Sequence, residues 1–234
     1  MRLCPFSIVI DAREQTPFTF LSITVDRQYS GVRSTSRRVQ SSRKTTDSSA
    51  PVQIGQDATD AETWTIPMIR GTLQQGDYGI EGMGARVAVE RKSAADLFGT
   101  LAGGRRRFVR ELERLQERCE YAAVVVEADW SALFTTPPEY SQLPPRNVFR
   151  SVLTYQQRYP RVHWWFCPGR RFAELTTFRI LERFWREDQE RERGRVKEKE
   201  GQIERRDVGG PPKGPHVFPQ ETGGKKKEEK GGGE

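Results

Sequence analysis

Gly76-Asp77-Tyr78-Gly79-Ile80-Glu81-Gly82-Met83-Gly84-Ala85-Arg86-Val87-Ala88-Val89-Glu90-Arg91-Lys92 is the stretch on which the fold and the chemistry of this chain turn. Tyr78-Gly79-Ile80 and Arg86-Val87-Ala88-Val89 are short and β-prone, and Glu81-Gly82-Met83-Gly84 between them has turn composition. The pattern predicts a β-hairpin folded about Met83 and Gly84, with Asp77 directly opposite Glu90. Facing residues on paired strands have Cβ atoms about 4.5–5.5 Å apart, so the two carboxylates repel unless a cation sits between them. Strand alternation puts Ala88, Glu90 and Lys92 on one face and Val87, Val89 and Arg91 on the other. The hairpin thus turns two carboxylates and an ammonium towards one point. Hydrolysis of a phosphodiester asks for such a set: oxygen ligands for a hard cation such as magnesium, and a positive group to orient water or stabilise developing charge.

Glu90-Arg91-Lys92 alone carries little weight in a chain that is 30% charged. Its force comes from the facing Asp77 and the apolar Val87 and Val89. A purely structural carboxylate pair is the competing reading.

A second signal lies upstream. Ser7-Ile8-Val9-Ile10 reads as a buried strand ending at Asp11-Ala12-Arg13-Glu14, followed by Gln15-Thr16-Pro17-Phe18. Asp-x-Arg-Glu after a first strand, then Gly-Asp, then Glu-Arg-Lys-x-x-x-Asp is the motif series of the XPF-type nuclease domain of excision-repair and junction-cleaving endonucleases, which this chain resembles. The motifs stand here as Asp11, Arg13 and Glu14, then Gly76-Asp77, then Glu90, Arg91, Lys92 and Asp96. The resemblance covers residues 5 to about 187 and is closest to short bacterial and phage-like members. It takes in Ser93 to Leu101 and Arg105 to Leu112 as helices, Tyr121 to Glu127 as a core strand, and His163-Trp164-Trp165-Phe166 as a final strand.

The resemblance implies a restriction-endonuclease-like α/β fold, a three-layer sandwich with a mixed central sheet flanked by helices. It implies catalytic roles for Asp11, Arg13, Glu14, Asp77, Glu90, Arg91, Lys92 and Asp96. Asp77 and Glu90 would bind magnesium, with manganese as its expected substitute, and Asp11 would complete the set directly or through water. Lys92 would position the water, Arg13 and Arg91 would hold carboxylates or a phosphate, Glu14 would join the charged cluster, and Asp96 would anchor Lys92 or Arg91. The implied activity is a metal-dependent DNA endonuclease without a covalent enzyme intermediate, acting on branched or flapped DNA in repair or recombination. Two departures qualify this. Where many relatives carry a helix-hairpin-helix module after the nuclease domain, only a charged tail is read here, which weakens the implied taste for branched DNA. A low-complexity basic insertion, about 22–63, also interrupts the domain, and Tyr29 to Ala50 within it has almost no apolar residues.

Composition sets the frame. A chain of 234 residues accommodates one nuclease domain over 1–190 and a charged tail, expected to fray or be disordered, over 191–234. No apolar run is long enough to span a bilayer and no signal peptide is visible, so a soluble cytoplasmic protein without a membrane partner is expected. Cys4, Cys119 and Cys167 have no paired spacing, which argues against a disulfide framework or a zinc finger. With His163 and His216 the only histidines, catalysis by a Ser/His or Cys/His pair or by His-ligated zinc is disfavoured.

The formal charge of +7 belongs to the body of the chain, because acids and bases nearly cancel after Arg186. Arginines fill the insertion and the stretch Arg146, Arg150, Arg158, Arg161, Arg170 and Arg171, and both could attract phosphates. On the helix expected at 105–119, Phe108, Leu112, Leu115 and Cys119 form an apolar stripe. Arg107, Arg110, Arg114 and Arg118 form a second stripe about a third of a turn away. Together with Arg105 these are the expected DNA contacts. Alternatively, Glu111, Glu113 and Glu117 pair with them on a solvated face.

Strands are expected at 6–11, 65–70, 78–80, 87–91, 122–127 and 162–166, and helices at 93–101, 105–119, 145–158 and 169–191. Phe172, Leu175, Phe178, Leu181 and Trp185 read as core or as the surface of a homodimer formed through the nuclease domain. Two other functions stay open: a non-catalytic DNA-binding subunit on the same fold, and a nuclease acting on RNA.

Overall fold

The centre of the domain is set by strands that are apolar on both sides. In the computed structural model, which describes residues 2–21, 23–26 and 61–207, nine strands and five helices follow one another. They are β1 (Arg2–Leu3), β2 (Ile8–Asp11), β3 (Ile23–Asp26), β4 (Ala61–Thr65), β5 (Met68–Gly71), β6 (Tyr78–Ile80), β7 (Val87–Lys92), α1 (Ala94–Ala102), α2 (Arg105–Arg118), β8 (Tyr121–Val126), α3 (Trp130–Thr135), α4 (Pro145–Arg158), β9 (Val162–Phe166) and α5 (Arg170–Asp207). Six strands form the main sheet in the order β5-β2-β6-β7-β8-β9, and three form a smaller one, β1-β4-β3. The main sheet is mixed. β2 runs parallel to β5 but antiparallel to β6, β6 is antiparallel to β7, and β7, β8 and β9 are parallel.

Alternation along β7 and β8 divides the interior into two cores. Val87, Val89, Ala123 and Val125 pack with Ile8, Ile10, Phe18, Tyr78 and Phe178, whereas Ala88, Ala122, Val124 and Val126 pack with Leu97, Phe108, Leu112, Leu115, Val148 and Val152. The second core is closed by α1, α2 and α4, and the first by α5 together with the smaller sheet. The result is the three-layer mixed α/β sandwich expected from the sequence. Each fully buried Leu or Phe contributes about 1.5–3 kcal/mol of transfer free energy. The apolar stripe of α2 is buried as its periodicity predicts, with Phe108, Leu112, Leu115 and Cys119 all at 2% exposure or less.

Three expectations are corrected. The single strand expected at 65–70 is two, β4 and β5, in different sheets. Ile66-Pro67 separates them, because proline lacks the N–H a ladder needs and only its carbonyl is used, accepting from Ile8 N at 2.9 Å. The insertion drawn at about 22–63 is too wide, since Ile23–Asp26 and Ala61–Thr65 pair as antiparallel strands. Its interior, including Tyr29 to Ala50, lies outside the described residues. α3 is an additional helix, and Asp129 signals it by accepting from Ala132 N at 2.7 Å as an N-cap. Met1–Glu190 forms one compact unit and residues from Arg191 a second. Of the latter, residues 191–207 are helical, and the remainder of the expected tail lies outside the described residues.

Candidate active site

The hairpin forms in the expected register. Tyr78 pairs with Val89, which sets Asp77 opposite Glu90, and Asp77 N donates to Val89 O at 2.8 Å. Gly76 makes this approach feasible. Its φ is +70°, and a Cβ there would stand 3.0 Å from Val89 O, so only glycine fits beside the neighbouring backbone. β2 then brings the first motif alongside, with Asp11 N donating to Asp77 O at 2.9 Å.

Within this corner the acids fall into two kinds. Both oxygens of Asp11 are engaged: Oδ1 accepts from Arg13 N (2.9 Å) and Nε (2.7 Å), and Oδ2 accepts from Arg13 Nη2 (3.1 Å) and Leu73 N (2.8 Å). The Arg13 guanidinium holds the Asp11 carboxyl below its ordinary pKa, helped by the backbone donors. Asp77 and Glu90 lie on the other side of the balance. Burial pushes the Asp77 pKa up to about 6 although Arg91 N donates to Oδ2 at 2.8 Å, and the charge of Glu14 adds to the rise. Glu90 is buried, and desolvation followed by the charge of Asp77 raises it well above the usual carboxylate range. Lys92 donates from Nζ to Glu90 Oε1. Burial pulls its own pKa down, but the charges of Glu90 and Glu111 and this hydrogen bond outweigh burial and leave it raised.

The opposite face of β7 is structural. Arg91 donates from Nε to Glu127 at 2.7 Å and pairs with Glu14 at 3.4 Å. Arg170 donates to the same Glu127 oxygen at 2.7 Å and to the carbonyls of Thr16 and Pro17. The Phe18 ring meets both guanidinium groups, Arg91 at 5.7 Å and Arg170 at 4.9 Å. This network pins the loop that carries Glu14. Arg170, which the sequence places among residues that could attract phosphates, is a clamp on that loop.

All the motif residues except Arg91 line a cleft of about 540 Å³, together with Gln75, Gly104, Arg107, Phe108, Glu111 and Arg114. Asp96 borders it, but its carboxylate is taken by Ser93 N and Oγ in a capping box at the start of α1. That replaces the anchoring of Lys92 or Arg91 expected of it. Of the arginines, Arg107 and Arg114 line the cleft, Arg110 and Arg118 do not, and Arg105 is bound to Ser151 Oγ at 3.1 Å and Tyr155 OH at 3.3 Å. Among the described residues Glu111, Glu113 and Glu117 form no ion pair with the stripe. Glu111 is a cleft residue that the sequence reading missed, although the helical spacing contained it: at about 100° per residue it falls on the same face as Arg107 and Arg114, about 40° from the first and about 60° from the second. Gln75, Glu127 and Arg170 carry no such sequence signal.

The donor set suits a hard divalent cation. Among the described residues no group of three His, Cys, Asp or Glu side chains is placed to hold a metal ion. Magnesium, however, is commonly held by one or two carboxylates, keeping several waters, and Asp77 and Glu90 are a desolvated pair without a full counter-charge.

The model of the ERCC4 domain family matches residues 43–177 of this chain. The chain belongs to the ERCC4 domain family. It therefore carries an XPF-type nuclease domain with the restriction-endonuclease-like fold, a domain of the DNA nuclease and repair type whose members are generally divalent-metal dependent. The ERCC4 match includes Asp77, Glu90 and Lys92, while Asp11, Arg13 and Glu14 precede it and reach the site through β2. Among solved structures the chain is similar to XPF from Aeropyrum pernix, with 21% identity and a TM-score of 0.42 over 52% of this chain and 55% of that one. It is also similar to XPF from Aeropyrum pernix in complex with DNA, with 22% identity and a TM-score of 0.38 over 53% and 55%. The chain thus spans about half the length of these structures. No curated protein matches it significantly. Among the described residues, no helix is long and apolar enough to cross a membrane.

Proposed function

We propose that this ERCC4 domain is a divalent-metal-dependent DNA endonuclease. The observation that carries the reading is the facing pair Asp77 and Glu90, desolvated and mutually repelling at the floor of a cleft, with the Lys92 ammonium on Glu90. Asp77 and Glu90 would hold magnesium or manganese. When bound, such an ion supplies Lewis acidity at a phosphoryl oxygen and a water of lowered pKa. Lys92 has further N–H donors beyond the one on Glu90, which orient the attacking water or meet the charge developing on the phosphate. Asp11, with every oxygen engaged, contributes by fixing Arg13 and the loop at Leu73. Arg13, 74% exposed, faces the incoming phosphate, and Arg91 and Glu14 keep the Asp77 side of the site rigid. Arg107 and Arg114 extend a positive wall for the phosphate backbone.

A non-catalytic DNA-binding subunit is the second reading, and the saturation of Asp11 is the observation on its side. One experiment decides between them. Purified protein is incubated with labelled flap, fork, duplex, single-stranded and RNA substrates, with and without magnesium. Magnesium-dependent cleavage lost in Glu90→Gln supports the nuclease. Binding without cleavage supports the subunit.

A further inference from the structure

Buried polar groups are nearly always hydrogen-bonded, so an exception calls for an explanation. Trp64, Gln75, Tyr159, Trp164 and Thr177 have buried side-chain atoms without a partner among the described residues, and of these only Gln75 lines the cleft. Gln75 is 7% exposed, and both its Nε2 and its Oε1 lack a partner. Its backbone is fixed on both sides. Leu73 N donates to Asp11 Oδ2 and Leu73 O accepts from Arg13, while Gly76 packs against Val89 O and leads directly into Asp77. The backbone is therefore held where it is, and the side-chain amide, closed to solvent in the metal-free fold, meets a partner by turning into the cleft.

From this geometry we infer that Gln75 is a positioning residue for the divalent cation, accepting through Oε1 a hydrogen bond from a water in the cation's hydration shell. The inference rests on the proposed metal-dependent function. A magnesium ion held by two carboxylates keeps several waters, and each of these is a strong donor in need of an acceptor. Asp11 has none to offer, since four donors already occupy it. Gln75, in the same cleft wall and two positions from Asp77, offers an uncharged acceptor that leaves the carboxylates free for direct contact. Groups that hold a metal's ligands from outside typically change affinity by about 10–100-fold.

The test is calorimetric titration of magnesium and manganese into the full chain, without nucleic acid, alongside thermal melts of the metal-free protein. Gln75→Met removes the acceptor at similar length and should weaken cation binding at least about tenfold without lowering the metal-free melting temperature, because an unpartnered amide is being replaced by an apolar group. Gln75→Glu keeps the acceptor and should bind at least as tightly as the parent. Gln75→Leu repeats the loss with a different shape, should the methionine variant fold poorly. Parental affinity in the folded Met or Leu variant overturns the inference, and so does equal weakening in Gln75→Glu. Asp77→Asn keeps the two ideas apart. If it abolishes binding while Gln75→Met does not change it, the metal site stands and only the role of Gln75 falls. If the parent binds neither ion, the metal reading fails and the inference with it.

Discussion

Asp11, at the end of β2, and the Asp77–Glu90 pair, across the hairpin of β6 and β7, belong to one sheet and line one cleft, yet their electrostatics are opposite. Asp11 is buried with its charge already compensated by Arg13 and two backbone amides, and its pKa lies below the ordinary value. Glu90 is buried and Asp77 half-buried, with each other's charge for company and only part of Lys92 to offset it. Burial alone therefore does not mark a ligand. A carboxylate with its lone pairs filled holds the fold together, whereas one left desolvated and unfilled holds back free energy that an arriving cation can release.

The strongest way to break this contrast is to neutralise each acid in turn and follow cleavage. Asp77→Asn, Glu90→Gln and Lys92→Ala should each lower the rate by about 10²–10³-fold or more, the scale on which loss of one charge-stabilising group acts. Full activity in any of them would remove that residue from the site. Stability should separate the same residues the other way round. Asp11→Asn breaks charge-assisted hydrogen bonds and should cost about 1.5–3 kcal/mol by denaturant unfolding, while Asp77→Asn and Glu90→Gln relieve repulsion and should leave the metal-free protein as stable or more so. Equal destabilisation by all three would erase the distinction.

The pH dependence sharpens it further. A carboxyl whose folded pKa is raised binds more protons in the folded than in the unfolded state, so stability falls as pH rises through that window. For Asp77 the window runs from the ordinary 3.8 to about 6. The metal-free protein should thus melt at a higher temperature at pH 5 than at pH 7, and the difference should shrink in Asp77→Asn/Glu90→Gln. Asp11, with a lowered pKa, stabilises above its unfolded value and loses that contribution only as pH falls below about 3.8, outside the window. A melting temperature rising from pH 5 to pH 7 would contradict the assignment.

The smallest effect concerns nucleic-acid binding. Replacing Arg107 and Arg114 by Gln should flatten the dependence of log affinity on log salt by roughly 0.7–0.9 for each phosphate that is no longer neutralised. Arg105→Gln should leave the slope unchanged, since Arg105 is bound to Ser151 and Tyr155. A slope that responds only to Arg105 would redirect the DNA path towards α4.

Local pattern makes much of this readable in the sequence. The hairpin register follows from turn composition and period-two alternation, and the buried face of α2 from its 3.6-residue period. What escapes depends on interactions between segments far apart in the chain. The Glu127–Arg170 clamp joins β8 to α5 and the loop after β2, and nothing near either residue announces it. Asp96 has Ser93 three positions before it, and that local capping partner prevails over the longer reach to Lys92. The split of β4 from β5 is legible in Pro67, whose missing N–H rules out one continuous strand.

The central claim is that the Asp77–Glu90 pair is an uncompensated acid site completed by a divalent cation. Thermal unfolding of the full chain at pH 7, with and without millimolar magnesium or manganese, tests it most directly, because a ligand that binds only the folded state raises the melting temperature. The expected result is a clear upward shift in the parent that disappears in Asp77→Asn/Glu90→Gln and survives in Arg105→Gln. An equal shift in the double variant, or none in the parent, would contradict the account.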